Sequence, residues 1–122
     1  LFMWSTFPHL EQAIGVIKAW DFRFKTVAFV WVKTAKNLGL HWGTGYWTRA
    51  NAEICLLATR GHPKRVSSSV HQIIMEPRRE HSRKPDCTRE RIVKLVGDVP
   101  RIELFAREAE DGWDRWGLES PP

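Results

Sequence analysis

An α/β sandwich with a largely parallel sheet is the fold class that this 122-residue sequence predicts. Short runs rich in Val, Ile, Phe and Trp alternate with two segments of helical periodicity. Gly, Pro and Asp punctuate the joins. Strands that alternate with helices return to a sheet through crossovers, and crossovers set neighbouring strands parallel. The length suits one domain, here residues 1–122.

The elements follow in order. Leu1 to Ser5 is an apolar run that reads as a buried strand. It has no preceding turn and no initiating Met, so the chain is expected to be N-terminally truncated relative to its natural domain. Pro8 sits where a first helical turn tolerates it, with Thr6 as a candidate cap. Leu10, Ala13, Ile14, Ile17 and Trp20 then recur at helical spacing, leaving Glu11, Gln12 and Lys18 for solvent. Thr26 to Lys33 is a buried strand by its Val, Phe and Trp content.

From Thr34 to Asn51 the sequence interleaves Gly39, Gly43 and Gly45 with His41, Trp42, Tyr46 and Trp47, and predicts a long binding loop. Glu53 to Thr59 is the next strand, closed by Arg60-Gly61, and after the polar link His62 to Ser69 another is expected at Val70 to Met75. A second helix opens at Asp86 as a cap, buries Ile92, Val93, Leu95 and Val96, and stops at Gly97. Pro100 precedes a last strand, Ile102 to Ala106. Ligands of such sheets sit at the carboxyl ends of strands, which puts Lys33, the loop after Ala58, and Phe105 to Arg107 on the candidate rim.

Composition narrows the classes. The longest apolar run, Val27 to Val32, is far short of the roughly 20 residues that cross a bilayer, and no leader pattern opens the chain, so it is expected to be soluble and cytoplasmic. Cys55 and Cys87 have neither disulfide-framework nor zinc spacing, so reduced thiols and no metal are expected. A net charge of +5 favours a polyanionic partner, a weak signal by itself.

Three groups could carry chemistry. The run Arg78 to Asp86 places four Arg and Lys side chains before a helix start, where they could hold a carboxylate or phosphate; a solvated basic loop, with His81 as an ordinary loop residue, is the competing reading. Glu103 and Arg107 flank a strand end, where a carboxylate could accept ribose hydroxyls and a guanidinium could hold another polar part of a nucleoside; a structural ion pair with the basic loop is the alternative. Trp42, Tyr46 and Trp47 beside Arg49 could stack on a base or could be core. Gly43-Thr44-Gly45 is too short for a phosphate loop and reads as a bend. The residues alone therefore reach a basic α/β domain with a nucleotide-like ligand.

Five blocks, in order, are more specific. They are Phe29-Val30-Trp31-Val32-Lys33, Asn51 to Ala58, His81-Ser82-Arg83-Lys84-Pro85-Asp86, Ile102 to Arg107, and Gly112-Trp113-Asp114. Together they resemble the adenine-specific amino-methyltransferase family that includes the catalytic subunit of the mRNA adenosine methyltransferase. The likeness runs from Leu1 to about Glu119, and its wording is closest to the bacterial and phage DNA-modifying branch.

The resemblance implies a Rossmann-like, S-adenosylmethionine-dependent methyltransferase fold in permuted order, methylating the adenine amino group of nucleic acid, DNA rather than RNA. It implies that Lys84 pairs with the cofactor carboxylate and that Glu103, Phe105, Arg107 and Glu119 bind the rest of the cofactor. Lys33, Trp47, Arg49 and Glu53 then surround the target adenine. The family's catalytic Asp-Pro-Pro-Trp motif does not occur in the sequence, Leu118 stands where the family usually has an Asn, and Glu108 to Asp111 is acidic where the mRNA enzyme has Pro-His-Asn. A noncatalytic nucleic-acid-binding or scaffold subunit, or an inactive fragment, is the alternative.

Overall fold

Four apolar runs become one sheet. The computed structural model describes residues 1–36, 39–80 and 83–121. Its elements are β1 (Phe2–Ser5), α1 (Leu10–Ala19), β2 (Arg23–Thr34), β3 (Glu53–Thr59), β4 (Ile73–Pro77), α2 (Cys87–Val96), β5 (Ile102–Leu104) and β6 (Asp114–Trp116). The larger sheet has the order β1-β3-β2-β4, and β5 pairs with β6 separately in parallel.

The expected largely parallel sheet is corrected by this topology. β3 is antiparallel to both β1 and β2, and β2 with β4 forms the parallel pair. The cause is the connection after β2: among the described residues no helix lies between β2 and β3, and the chain turns back at the same edge as a hairpin does. The α1 crossover does carry the chain from β1 to a strand of the same direction, with β3 inserted between the two.

Period-two alternation divides the side chains between two faces. On one face Phe29, Trp31, Cys55 and Ile74 pack with Ile92 of α2, with Phe2, Trp4, Val96 and Trp113 around them. On the other, Ile54, Leu56 and Ala58 pack under Ile17 of α1, with Met3, Leu10, Ala13 and Ile14 alongside. The sheet is thus covered by one helix on each side. Ile17 is fully buried, and such a side chain contributes about 2 to 3 kcal/mol on burial. Glu11, Gln12 and Lys18 face solvent as the helical stripe predicts. Trp20 departs from that stripe and is 44% exposed, because it is the residue after the last turn, where Asp21 at φ 63° redirects the chain.

Other boundaries shift for local reasons. Thr6 precedes a short 3-10 turn at Phe7–His9 without a side-chain cap bond. β2 begins three residues before Thr26, carried by two irregularities in its pairing with β3. β4 starts at Ile73 rather than Val70, in register with Val30. Asp86 makes no side-chain cap bond to α2, its carboxylate being taken by arginines instead. Gly97, at φ 88°, ends that helix as expected. β5 stops at Leu104 rather than Ala106 because Phe105 turns to φ 60°. No helix among the described residues is long and apolar enough to cross a membrane.

Candidate functional site

Because β1, β2 and β4 run the same way, their carboxyl ends share one edge with the start of β3. Lys33 is near the end of β2, and Glu53 opens β3 opposite Trp31. The segment before α2 delivers Lys84 to the same point. Lys33 Nζ lies 2.8 Å from one Glu53 carboxylate oxygen and Lys84 Nζ lies 3.4 Å from the other. The Lys33 and Glu53 side chains are only 16% and 14% exposed, so this is a sheltered cluster rather than a solvated pair. Burial works against the Glu53 carboxylate, but the Lys33 hydrogen bond and the Lys84 and Lys33 charges outweigh it and hold its pKa below the ordinary value. Lys33 also lies 5.1 Å from the Trp31 ring centroid, and the Trp31 indole N–H donates to the Glu76 carbonyl at 2.9 Å.

The glycine-rich loop is tied to this rim by Asn51. Its amide oxygen accepts from the Lys33 backbone N–H at 2.9 Å, and its amide nitrogen donates to the Lys33 carbonyl at 2.9 Å and to the His41 carbonyl. The His41 N–H returns a bond to the Lys33 carbonyl at 2.9 Å. The ends of the loop are therefore fixed while its tip projects: Tyr46 is fully exposed and Trp47 is 99% exposed. Neither ring is core. Arg49 is exposed on the same loop, and no hydrogen bond or ion pair among the described residues joins Trp47 or Arg49 to the Lys33, Glu53 and Lys84 cluster.

The remaining candidates lie on the last segment. Arg107 Nε and Glu119 Oε2 are 3.0 Å apart, closing the segment on itself. Exposed Phe105 meets Trp116 edge to face at 5.4 Å. Gly117 crosses so near that a Cβ there would lie 2.7 Å from the Phe105 Cα, and its φ of 144° also demands glycine. Glu103 pairs with Arg89 of α2 at 3.3 Å. Glu103 and Arg107 are each ion-paired, with Arg89 and Glu119 and not with the basic loop of the alternative reading.

Arginines join the two groups. Arg83, adjacent to Lys84, reaches Glu108 at 2.8 Å and Asp86 at 3.2 Å, and Arg89 reaches Glu110 at 3.4 Å. The basic run is therefore largely matched by carboxylates, Arg79 included at 2.9 Å from Asp86. His81 and Ser82 lie outside the described residues. Sequence reasoning placed Arg83 in the basic run before the helix but missed Asn51 and Arg89 as site-building residues. An Asn closing a glycine-rich stretch just before a strand was the available signal for the first; Arg89 gave none toward Glu103 and Glu110, which are distant in sequence.

The family pattern described as MT-A70 matches residues 1–119. The chain belongs to the MT-A70 family. Among relatives, the type II methyltransferase M.MunI of Mycoplasma sp is 38% identical across 99% of this chain and 50% of its own length. An N(6)-adenosine-methyltransferase MT-A70-like protein of Arabidopsis thaliana is 28% identical over 93% of this chain, and a probable one of Oryza sativa subsp. japonica likewise. This MT-A70 chain thus spans half the length of the first relative and less than a fifth of the plant ones. The Lys33, Glu53 and Lys84 cluster, the clamped aromatic loop and the Arg107 and Glu119 pair all fall inside the matched residues.

Proposed function

We propose that this MT-A70 chain forms the cofactor-binding part of a methyltransferase. It acts on the adenine amino group of nucleic acid, DNA rather than RNA, on a Rossmann-like sheet of permuted order. The observation that carries the reading is the convergence of Lys33, Glu53 and Lys84 at the rim where the strands of like direction end, with the ends of the loop that exposes Tyr46 and Trp47 tied to Lys33. The DNA preference rests on the wording of the resembling blocks and on the similarity to a type II methyltransferase.

The residues suit S-adenosylmethionine, a ligand with an amino-acid carboxylate at one end and a nucleoside at the other. Lys84 offers the cation for the carboxylate, and Glu103, Phe105, Arg107 and Glu119 offer an acceptor, an apolar surface and a donor for the nucleoside. The close crossing of Gly117 on the Phe105 backbone holds the exposed Phe105 ring at this surface. When bound, the cofactor supplies an electrophilic methyl group on sulfur.

The chain's own part is positioning. Glu53, kept ionised by two ammonium groups, is an acceptor that can orient an exocyclic N–H but is a poor base. Trp47 and Arg49 stack on and steer the nucleic acid at the rim, and Lys33 holds Glu53 in place. No residue here is assigned to the transfer itself, since the Asp-Pro-Pro-Trp motif is not in the sequence. Alignment of amine and methyl is the main service such a scaffold provides.

The fully exposed Leu118 favours a second reading, a noncatalytic nucleic-acid-binding subunit, because it cannot donate the hydrogen bond an Asn gives there. Full-length protein incubated with isotopically labelled S-adenosylmethionine and adenine-containing DNA is expected to label the DNA, with RNA labelled less. Calorimetry is expected to show cofactor affinity falling at least about tenfold in Lys84→Ala, a loss of about 1.4 kcal/mol. Absence of both transfer and cofactor binding would leave the scaffold reading.

A further inference from the structure

At the opposite end of the sheet a groove of about 690 Å³ opens between the start of β2 and the turn after β3. Lys18, Arg23, Lys25 and Arg60 line it, with Phe22 and Phe24 between them and Asp21 as its one acidic side chain. The groove is built rather than incidental. Arg60 stacks on Phe22 at 4.2 Å and donates to the carbonyls of Asp21, at 3.1 Å, and of Trp20. An irregularity in the pairing between Phe24 and Thr26 sets Lys25 outside the ladder.

The two poles of the sheet differ in how their charge is balanced. At the rim, Lys33, Arg83, Lys84, Arg89 and Arg107 all face carboxylates. Lys18, Arg23 and Lys25 form no ion pair among the described residues, and all three are exposed. Phe24 is 40% exposed beside them, an arrangement of cations interleaved with an aromatic face. Unmatched cations on a folded surface attract a polyanion by releasing its condensed counterions. Arg23 and Lys33 lie ten positions apart along β2, which at about 3.3 Å per residue is roughly 30 Å. That distance takes the groove well outside the reach of one target nucleotide.

We propose that this groove is a second nucleic-acid contact, holding backbone phosphates of the strand that flanks the target. It rests on the reading of the protein as acting on nucleic acid, and it assigns to the far pole the sequence-independent share of affinity. Phosphates bind Lys18, Arg23 and Lys25, while Arg60 is held by the fold as part of the wall.

Full-length protein is titrated with a DNA duplex of about 20 base pairs over a range of salt, using fluorescence anisotropy. The triple substitution Lys18→Glu, Arg23→Glu, Lys25→Glu is expected to weaken binding at least about tenfold near 50 mM salt and to make the slope of log K against log salt shallower by about 2 to 3. The triple alanine variant, gentler on the fold, is expected to give the same change of slope with a smaller loss of affinity. Unchanged affinity and slope in the alanine variant with a wild-type melting curve would overturn the proposal. So would a polyglutamate of equal charge competing as well as the duplex, since that result assigns the groove to an acidic protein. Labelled-methyl transfer and cofactor calorimetry on the same samples report on the enzymatic reading separately: they can fail while the groove still binds DNA, and they can succeed while it does not.

Discussion

Glu53 shows how one carboxylate organises a rim. Both its oxygens are occupied by ammonium groups from different parts of the chain, so it fixes the end of β2 against the segment before α2. Its folded pKa is lower than the ordinary value, so the free energy it contributes is fully present above the unfolded carboxylate pKa, about 4.5. It is lost as pH falls through the lower folded value. Glu53→Gln is therefore expected to cost about 2 kcal/mol at pH 7, because it removes the carboxylate charge that the sheltered Lys33 ammonium faces at 2.8 Å. Urea titrations at pH 7 and near pH 3 check this. An equal loss at both would mean that packing, not charge, is what Glu53 supplies. The family resemblance already put Lys33 and Glu53 on one rim, but the arrival of Lys84 at the same carboxylate was not legible. Residue types and spacing carry no record of which distant cation a carboxylate will face.

The arginines of α2 and its approach act as an element-scale hinge pin. Arg83 holds Glu108 while Arg89 holds Glu103 and Glu110, so the short β5 and β6 pair is fastened to α2 by charge, and by Trp113 against the core. A two-stranded sheet of three-residue strands is marginal without such support. Arg83→Leu is expected to raise amide exchange across residues 102–116 at least about tenfold while leaving β2 and β3 protected. Uniformly raised exchange would show instead that Arg83 supports the whole fold. The same network explains why Asp86 fails as a helix cap: its carboxylate, flanked by Arg79, Arg83 and Arg89, gains more from charge-assisted bonds than from a backbone N–H. A capping signature reads only local sequence, and here longer-range partners win.

Across the whole molecule, the sheet separates two groups of cations, those around Glu53, which face its carboxylate, and those of the far groove, where Lys18, Arg23 and Lys25 form no ion pair among the described residues. Between them lies the central strand β3, where Cys55 is completely buried and its thiol is pushed up to about 12 by burial. A thiolate is the reactive form, so Cys55 is expected to react with a thiol reagent only through global opening, at a rate that tracks overall stability. Cys87, half-buried at the start of α2, is expected to react first. Mass spectrometry of partially alkylated protein reads the order. Native-state labelling of Cys55 ahead of Cys87 would mean that β3 opens without the rest of the sheet.

The sequence by itself determined the elements: where apolar runs and helical stripes lie, that Gly97 ends a helix, that the stretch before Asn51 is a glycine-rich loop, and which family the chain resembles. These depend on side-chain period, backbone freedom and ordered blocks, all local properties of the chain. Only the tertiary structure decided strand direction, the loss of Phe105 from β5, the outward display of Tyr46 and Trp47, and the pairing of each charge. Direction follows from how a connection returns across the sheet, and pairing follows from which distant segments are brought within a few ångströms; neither is written in spacing along the chain.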